Sequence, residues 1–247
     1  MNSENQWFRS RGYLHFDSPV KLRKACQIVK SPLNVAHHAF LPLISYDIHS
    51  FKISIDKDGN IQKKIKERPI SYASHIDSHI YSYYAELLSN VYEKALHKLQ
   101  LKDSVLAFRS LGKSNIDFAN TAFEKIKAHG DCTAIAMDIS GFFDNLDHVI
   151  LKSMWCKLLQ ENSLPDDHFN IYCSLTKSST VNRDLLYAAL KISRNNPKST
   201  GARLCDIKTF RDKIRGLGLI KTNSTGRGIP QGGVVAQIRE LSRSLVI

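Results

Sequence analysis

From Ile80 to Leu99 the apolar positions Ile80, Tyr84, Leu87, Leu88, Val91, Ala95 and Leu99 return at helical spacing, which stacks them on one face. The pattern predicts an amphipathic helix over 80–99, with Asp77 or Ser78 as the capping residue. The same periodicity predicts helices over 19–29, 116–129, 147–160, 166–176 and 183–192. Residues 51–55 and 61–65 instead alternate apolar and polar side chains around Asp56-Lys57-Asp58-Gly59-Asn60, so they read as a β-hairpin closed by an Asp-Gly turn. A calcium loop is the other use for those acids, but the ligand spacing and terminal glutamate of an EF-hand are missing. Residues 133–137 form a short apolar run that reads as a buried strand delivering Asp138. Residues 193–227, punctuated by Asn-Pro, Thr-Gly and Gly-Leu-Gly, read as connection with one short helix over 207–214.

These elements make a helix-rich α+β chain, and its 247 residues suffice for one large domain or two small lobes. Charge narrows the choice of partner. A net charge of +12 and a pI near 9.5 favour a polyanion, either nucleic acid or an anionic membrane surface. The excess is partly local: Lys191, Arg194, Lys198, Arg203, Lys208, Arg211, Lys213, Arg215, Lys221 and Arg227 face only Asp206 and Asp212 in that stretch, as a solvated loop face or a nucleic-acid contact. Cys26, Cys132, Cys156, Cys173 and Cys205 are odd in number and widely spaced, which suggests neither a zinc site nor a disulfide scaffold. The N-terminus lacks a signal-peptide pattern, and no apolar run approaches the roughly 20 residues that span a bilayer. A cytoplasmic protein without a membrane partner is expected.

The candidate chemistry centres on Ala134-Ile135-Ala136-Met137-Asp138-Ile139-Ser140-Gly141-Phe142-Phe143-Asp144-Asn145. A carboxylate at the end of a buried strand, before a turn and a helix, is held rigidly enough to serve as a metal ligand. Asp144 and Asp147 read better as helix-start residues than as ligands. Gly112-Lys113-Ser114 followed by an apolar run and aspartate imitates a phosphate-binding P-loop ATPase. Its upstream glycine position is Ala107, however, and Phe108, Arg109 and Leu111 are too bulky for a loop that wraps phosphate.

The segment from Ala134 to Asn145 resembles the first palm motif of reverse transcriptases, especially the bacterial retron, group II intron and phage-defence types. Arg227-Gly228-Ile229-Pro230-Gln231-Gly232 is similar to the Gly-x-Pro-Gln-Gly turn of that family. Phe108-Arg109-Ser110-Leu111-Gly112-Lys113-Ser114 and the segment from Ile70 to Tyr81 resemble its fingers motifs. The resemblance runs from about Trp7 to Gly232 and implies right-hand polymerase fingers and a partial palm, with the hairpin in the fingers. It implies an N-terminal extension over 1–50, fingers over 51–132 and partial palm over 133–247.

The implied activity is RNA-directed DNA synthesis from dNTPs by a two-ion Mg2+ mechanism, on an RNA template with a DNA primer or product and with room for an associated noncoding RNA. The implied site has Asp138 as the catalytic metal ligand with the Ile139 carbonyl beside it. Phe143 packs under the sugar and excludes a 2′-hydroxyl, Gln231 and Gly232 lie against nucleotide or template, and Arg109 and Lys113 reach phosphates. Because successive residues of an extended segment alternate, only one of Phe142 and Phe143 is expected to face that site. The sequence departs from the family in lacking Tyr-x-Asp-Asp, and after Gly232 it does not continue in the family pattern. A truncated or frameshifted copy is therefore expected, inactive alone. The rival is a non-enzymatic nucleic-acid-binding module or a partner that completes another palm. A role against phage is suggested by family analogy alone.

Overall fold

The computed structural model describes residues 5–106, 109, 111–197 and 201–232. It is mixed α+β, with its helices packed beside one small sheet. The order is α1 (Leu22–Val29), α2 (Pro32–Ala36), β1 (Leu43–Ile55), β2 (Ile61–Tyr72), α3 (His75–Lys98), α4 (Asn115–His129), α5 (Phe142–Asn145), α6 (His148–Leu159), α7 (Asp166–Thr176), β3 (Ser179–Asn182) and α8 (Arg183–Leu190). Then come α9 (Ile207–Thr209), running into a π-helical turn (Phe210–Arg215), and β4 (Ile220–Thr222). The sheet order is β2-β1-β3-β4, antiparallel at both outer pairs and parallel between β1 and β3.

The hairpin is present and longer than expected, because β1 and β2 pair continuously from Ile55↔Ile61 to Ile44↔Tyr72. Asp56 closes it by accepting the Asp58 and Asn60 amides at 3.0 and 2.9 Å, which engages the carboxylate in its own turn. The 80–99 helix begins earlier than expected. Ser74 is the cap, accepting the Asp77 amide at 3.2 Å, while Asp77 is buried and accepts the Leu41 amide at 3.0 Å. Asp17 takes the first two amides of α3, from His75 and Ile76, at 3.0 Å each, and the His75 ring at 2.9 Å. Burial pushes the Asp17 carboxyl up, but these donors together outweigh it and hold it below its ordinary value.

Two cores result. The larger joins Trp7, Val29, Val35, Tyr84, Leu88, Leu151, Trp155 and Ile171 from the N-terminal segment and from α1, α2, α3, α6 and α7. The smaller joins Leu14, Phe16, Ile44, Val181, Leu186 and Ile214 around the sheet. Residues up to 50 supply both cores, and β1 runs across the expected boundary at 50/51.

The expected strand over 133–137 does not form. Residues 131–139 carry no regular structure, with Ile135 80% and Met137 92% exposed, and none pairs with a described strand. An apolar run becomes a strand only where a neighbouring strand takes its backbone groups; β3 and β4, which the sequence pattern missed, fill the sheet instead, β3 beside β1 and β4 beside β3. Helix α4 does form, through a capping box between Ser114 and Asp117, yet it buries no residue. Among the described residues no helix is long and apolar enough to cross a membrane.

Two tests follow from this packing. Trp155→Ala, in the larger core, should lower the unfolding free energy by about 3–5 kcal/mol, whereas Phe123→Ala on the exposed face of α4 should change it by less than about 0.5 kcal/mol; urea melts check both. Burial pushes His15 and His79 down to about 4 from 6.5. The unfolded chain takes up those protons first, so stability should be level above pH 6.5 and fall between pH 6.5 and 4. Thermal melts across that range should lose part of the slope in His15→Leu.

Candidate functional site

Residues 226–232 cross the short helix α5 as a strap. The Gly228 amide donates to Leu146 O at 2.9 Å, the Ile229 amide to Phe143 O at 3.0 Å and the His148 amide to Gly226 O at 3.0 Å. Ile229, 5% exposed, plugs into the larger core. The His148 ring nitrogen Nε2 lies 2.7 Å from Gly228 O and, as donor, ties the strap to the start of α6. Asp147 caps that helix by accepting the Val149 and Ile150 amides at 2.8 and 3.1 Å. The Ile150 amide first, then Val149 and the charge of Arg227, hold the Asp147 carboxyl below its ordinary value.

Two glycines let the strap lie this close. Gly228 has φ +79°, and a Cβ there would sit 2.9 Å from Asp144 O. Gly232 has φ +114°, and a Cβ would meet Ile70 Cγ2 and Ser71 O at 2.8 Å. At the end of the strap Gln231 Nε2 donates to Asp144 Oδ1 at 2.9 Å, and the Ser71 amide donates to Gln231 O at 2.7 Å. Asp144, Phe143, Gln231 and Gly232 therefore meet beside the base of the hairpin, although Asp144 and Gln231 are 87 residues apart.

The remaining expected site residues are placed differently. Asp138 is exposed in the irregular segment before α5, not at a strand end, and Ile139 is 54% exposed beside it. Among the described residues no three His, Cys, Asp or Glu side chains gather where they could hold a metal ion. Asp138 and the Ile139 carbonyl would supply at most two of the roughly six oxygens that Mg2+ requires, so they do not by themselves fit the ion. Arg109 is committed to Glu93, donating from Nε and Nη2 to its two carboxylate oxygens at 2.8 Å each, and Nη1 donates to the Lys102 and Val105 carbonyls. Its hydrogen bond holds the Glu93 carboxyl below the ordinary range. A phosphate would have to displace Glu93 from that fork. Lys113 is exposed just before the Ser114 cap of α4, while Phe108 and Ser110 of the same motif lie outside the described residues.

Phe142 and Phe143 are both half-buried against the larger core and meet edge to face at 5.2 Å. They share a helical turn, so strand alternation does not separate them. The strand required by the P-loop alternative is absent as well, since 134–138 is irregular. Nothing in the sequence pattern hinted at the Asp144–Gln231 bond or at the Glu93 partner. The Gly-x-Pro-Gln-Gly spacing was the one signal that a strap would be tightly seated.

No protein-family model matches the chain, and no curated protein matches it.

Crowding separates two glycines that share a left-handed backbone. Gly59 has φ +82° with nothing within 4 Å of a built Cβ. Gly59→Ala should cost about 1–2 kcal/mol from backbone strain alone. Gly232→Ala should cost more and loosen the strap, read as a larger fall in melting temperature.

Proposed function

We propose that the chain forms the fingers and first part of the palm of a reverse-transcriptase-type polymerase. The observation that supports it best is the Gln231–Asp144 hydrogen bond, because it joins two of the motifs that carry the family resemblance. In this reading Phe143 lies under the sugar of a dNTP, and Gln231 and Gly232 form the adjoining wall. Asp138, with the Ile139 carbonyl, would supply only part of the ligand set of a Mg2+ ion. Bound Mg2+ would neutralise the phosphates of the nucleotide; no step is assigned to this chain alone. Lys113 remains available to phosphate in the exposed loop before α4, and Arg109 only if Glu93 yields.

A Phe143 ring beside the sugar should make dNTP binding tighter than binding of the matching NTP, on the order of tenfold, and Phe143→Ala should erase that difference. Equilibrium titration with fluorescent dNTP and NTP measures it; equal affinities in the unaltered protein would contradict the reading. With one carboxylate ligand the chain alone should extend no primer, and template-dependent product that vanishes in Asp138→Ala would contradict the incomplete metal site. A binding module without nucleotide chemistry is the second reading. The basic surface supports it, and it would show RNA binding indifferent to Asp138→Ala.

A further inference from the structure

We propose that an exposed basic ridge, Lys208, Arg211, Lys213, Arg215 and Lys221, is a docking track for the phosphate backbone of a nucleic-acid strand, separate from the candidate nucleotide site. All five side chains are exposed. Their backbone is not a loose loop. Ile214 is fully buried and Phe210 packs edge-on against Phe16 at 4.8 Å, which pins the π-helical turn and leaves Arg211, Lys213 and Arg215 outside. Lys221 is fixed by β4 pairing with β3 in the register Thr180↔Lys221. Asn223 Nδ2 donates to the Thr176, Arg227 and Gly228 carbonyls at 3.1, 3.0 and 3.2 Å, tying the next turn to the end of α7 and to the strap. The backbone that carries these cations is therefore held by the smaller core, by β3 and by the end of α7.

Acids neutralise cations elsewhere in the molecule but not on the ridge. Glu93 takes Arg109, and Asp184 takes Arg183 and Arg194. Residues 201–232 contain only Asp206 and Asp212 as acids, and the Asp206 carboxylate accepts the Thr209 amide at 2.7 Å. Among the described residues none of the five ridge cations makes an ion pair. Clustered like charge repels itself, and a polyanion relieves it while releasing its own counterions.

The test is fluorescence anisotropy of a labelled RNA of about 30 nucleotides, long enough to span several phosphate contacts, titrated at several salt concentrations. Replacing Lys208, Arg211, Lys213, Arg215 and Lys221 together by Gln should flatten the slope of log affinity against log salt by about 0.7 for each phosphate no longer neutralised, up to about 3.5. Replacing Lys21, Lys24, Lys30, Lys52 and Lys57 by Gln should leave it nearly unchanged. An unchanged slope in the ridge variant, or equal flattening in both, overturns the proposal, as does a wild-type protein that binds phosphatidylserine vesicles but not the RNA. Should the ridge variant fail to fold, acetylation of the unaltered chain with and without RNA, read by mass spectrometry, replaces it. Protection of Lys208, Lys213 and Lys221 by the RNA is then expected, and unprotected lysines overturn the proposal. Equal dNTP and NTP affinities would sink the nucleotide site at Phe143 and leave the ridge standing.

Discussion

The seating of Ile229 in the larger core is the constraint on which the candidate site depends. Once that side chain is buried, its own amide and that of Gly228 have one place to go, and they find Phe143 O and Leu146 O at α5. Leaving those groups buried without partners would cost more than the hydrogen bonds contribute, so α5 and the strap are held as one piece. Asp144 then faces Gln231, and Gly232 reaches Ser71 at the base of the hairpin. Tyr84 and Leu88 of α3 belong to the same core as Ile229.

Helices α3, α6 and α7 were legible because each carries a long apolar stripe, and the hairpin because Asp-Gly separates two alternating runs. Strands β3 and β4 were not, since Ser179–Asn182 and Ile220–Thr222 are too short for a period to register, and β3 exists only because β1 offers it an edge, as β3 in turn does for β4. The run at 133–137 shows the converse: it has the composition of a strand but no partner among the described strands. Trp7, Leu14 and Phe16 carry no such signal, because irregular segments can fill a core without any periodicity.

At the site, the two motif segments lie side by side, with the Ile229 amide on Phe143 O and the Gln231 side-chain amide on Asp144. Arg109, expected on phosphate, instead forks onto Glu93, a partner 16 residues away that no motif names. Ion-pair partners of this kind depend on how α3 and the following turn pack, and spacing alone does not reveal them. Helix α4 belongs to the same class of surprise: its periodicity predicts the helix correctly, yet nothing in it tells whether a face will be covered.

Amide hydrogen exchange at Gly228, Ile229 and Ser71, resolved by NMR, tests the docked strap most directly. A strap bonded to α5 and to β2 predicts slow exchange at all three, with Gly228 and Ile229 opening only as the larger core unfolds. Exchange as fast as that of the exposed residues 131–139 would mean that the strap is not seated, and that Asp144 and Gln231 do not form a site.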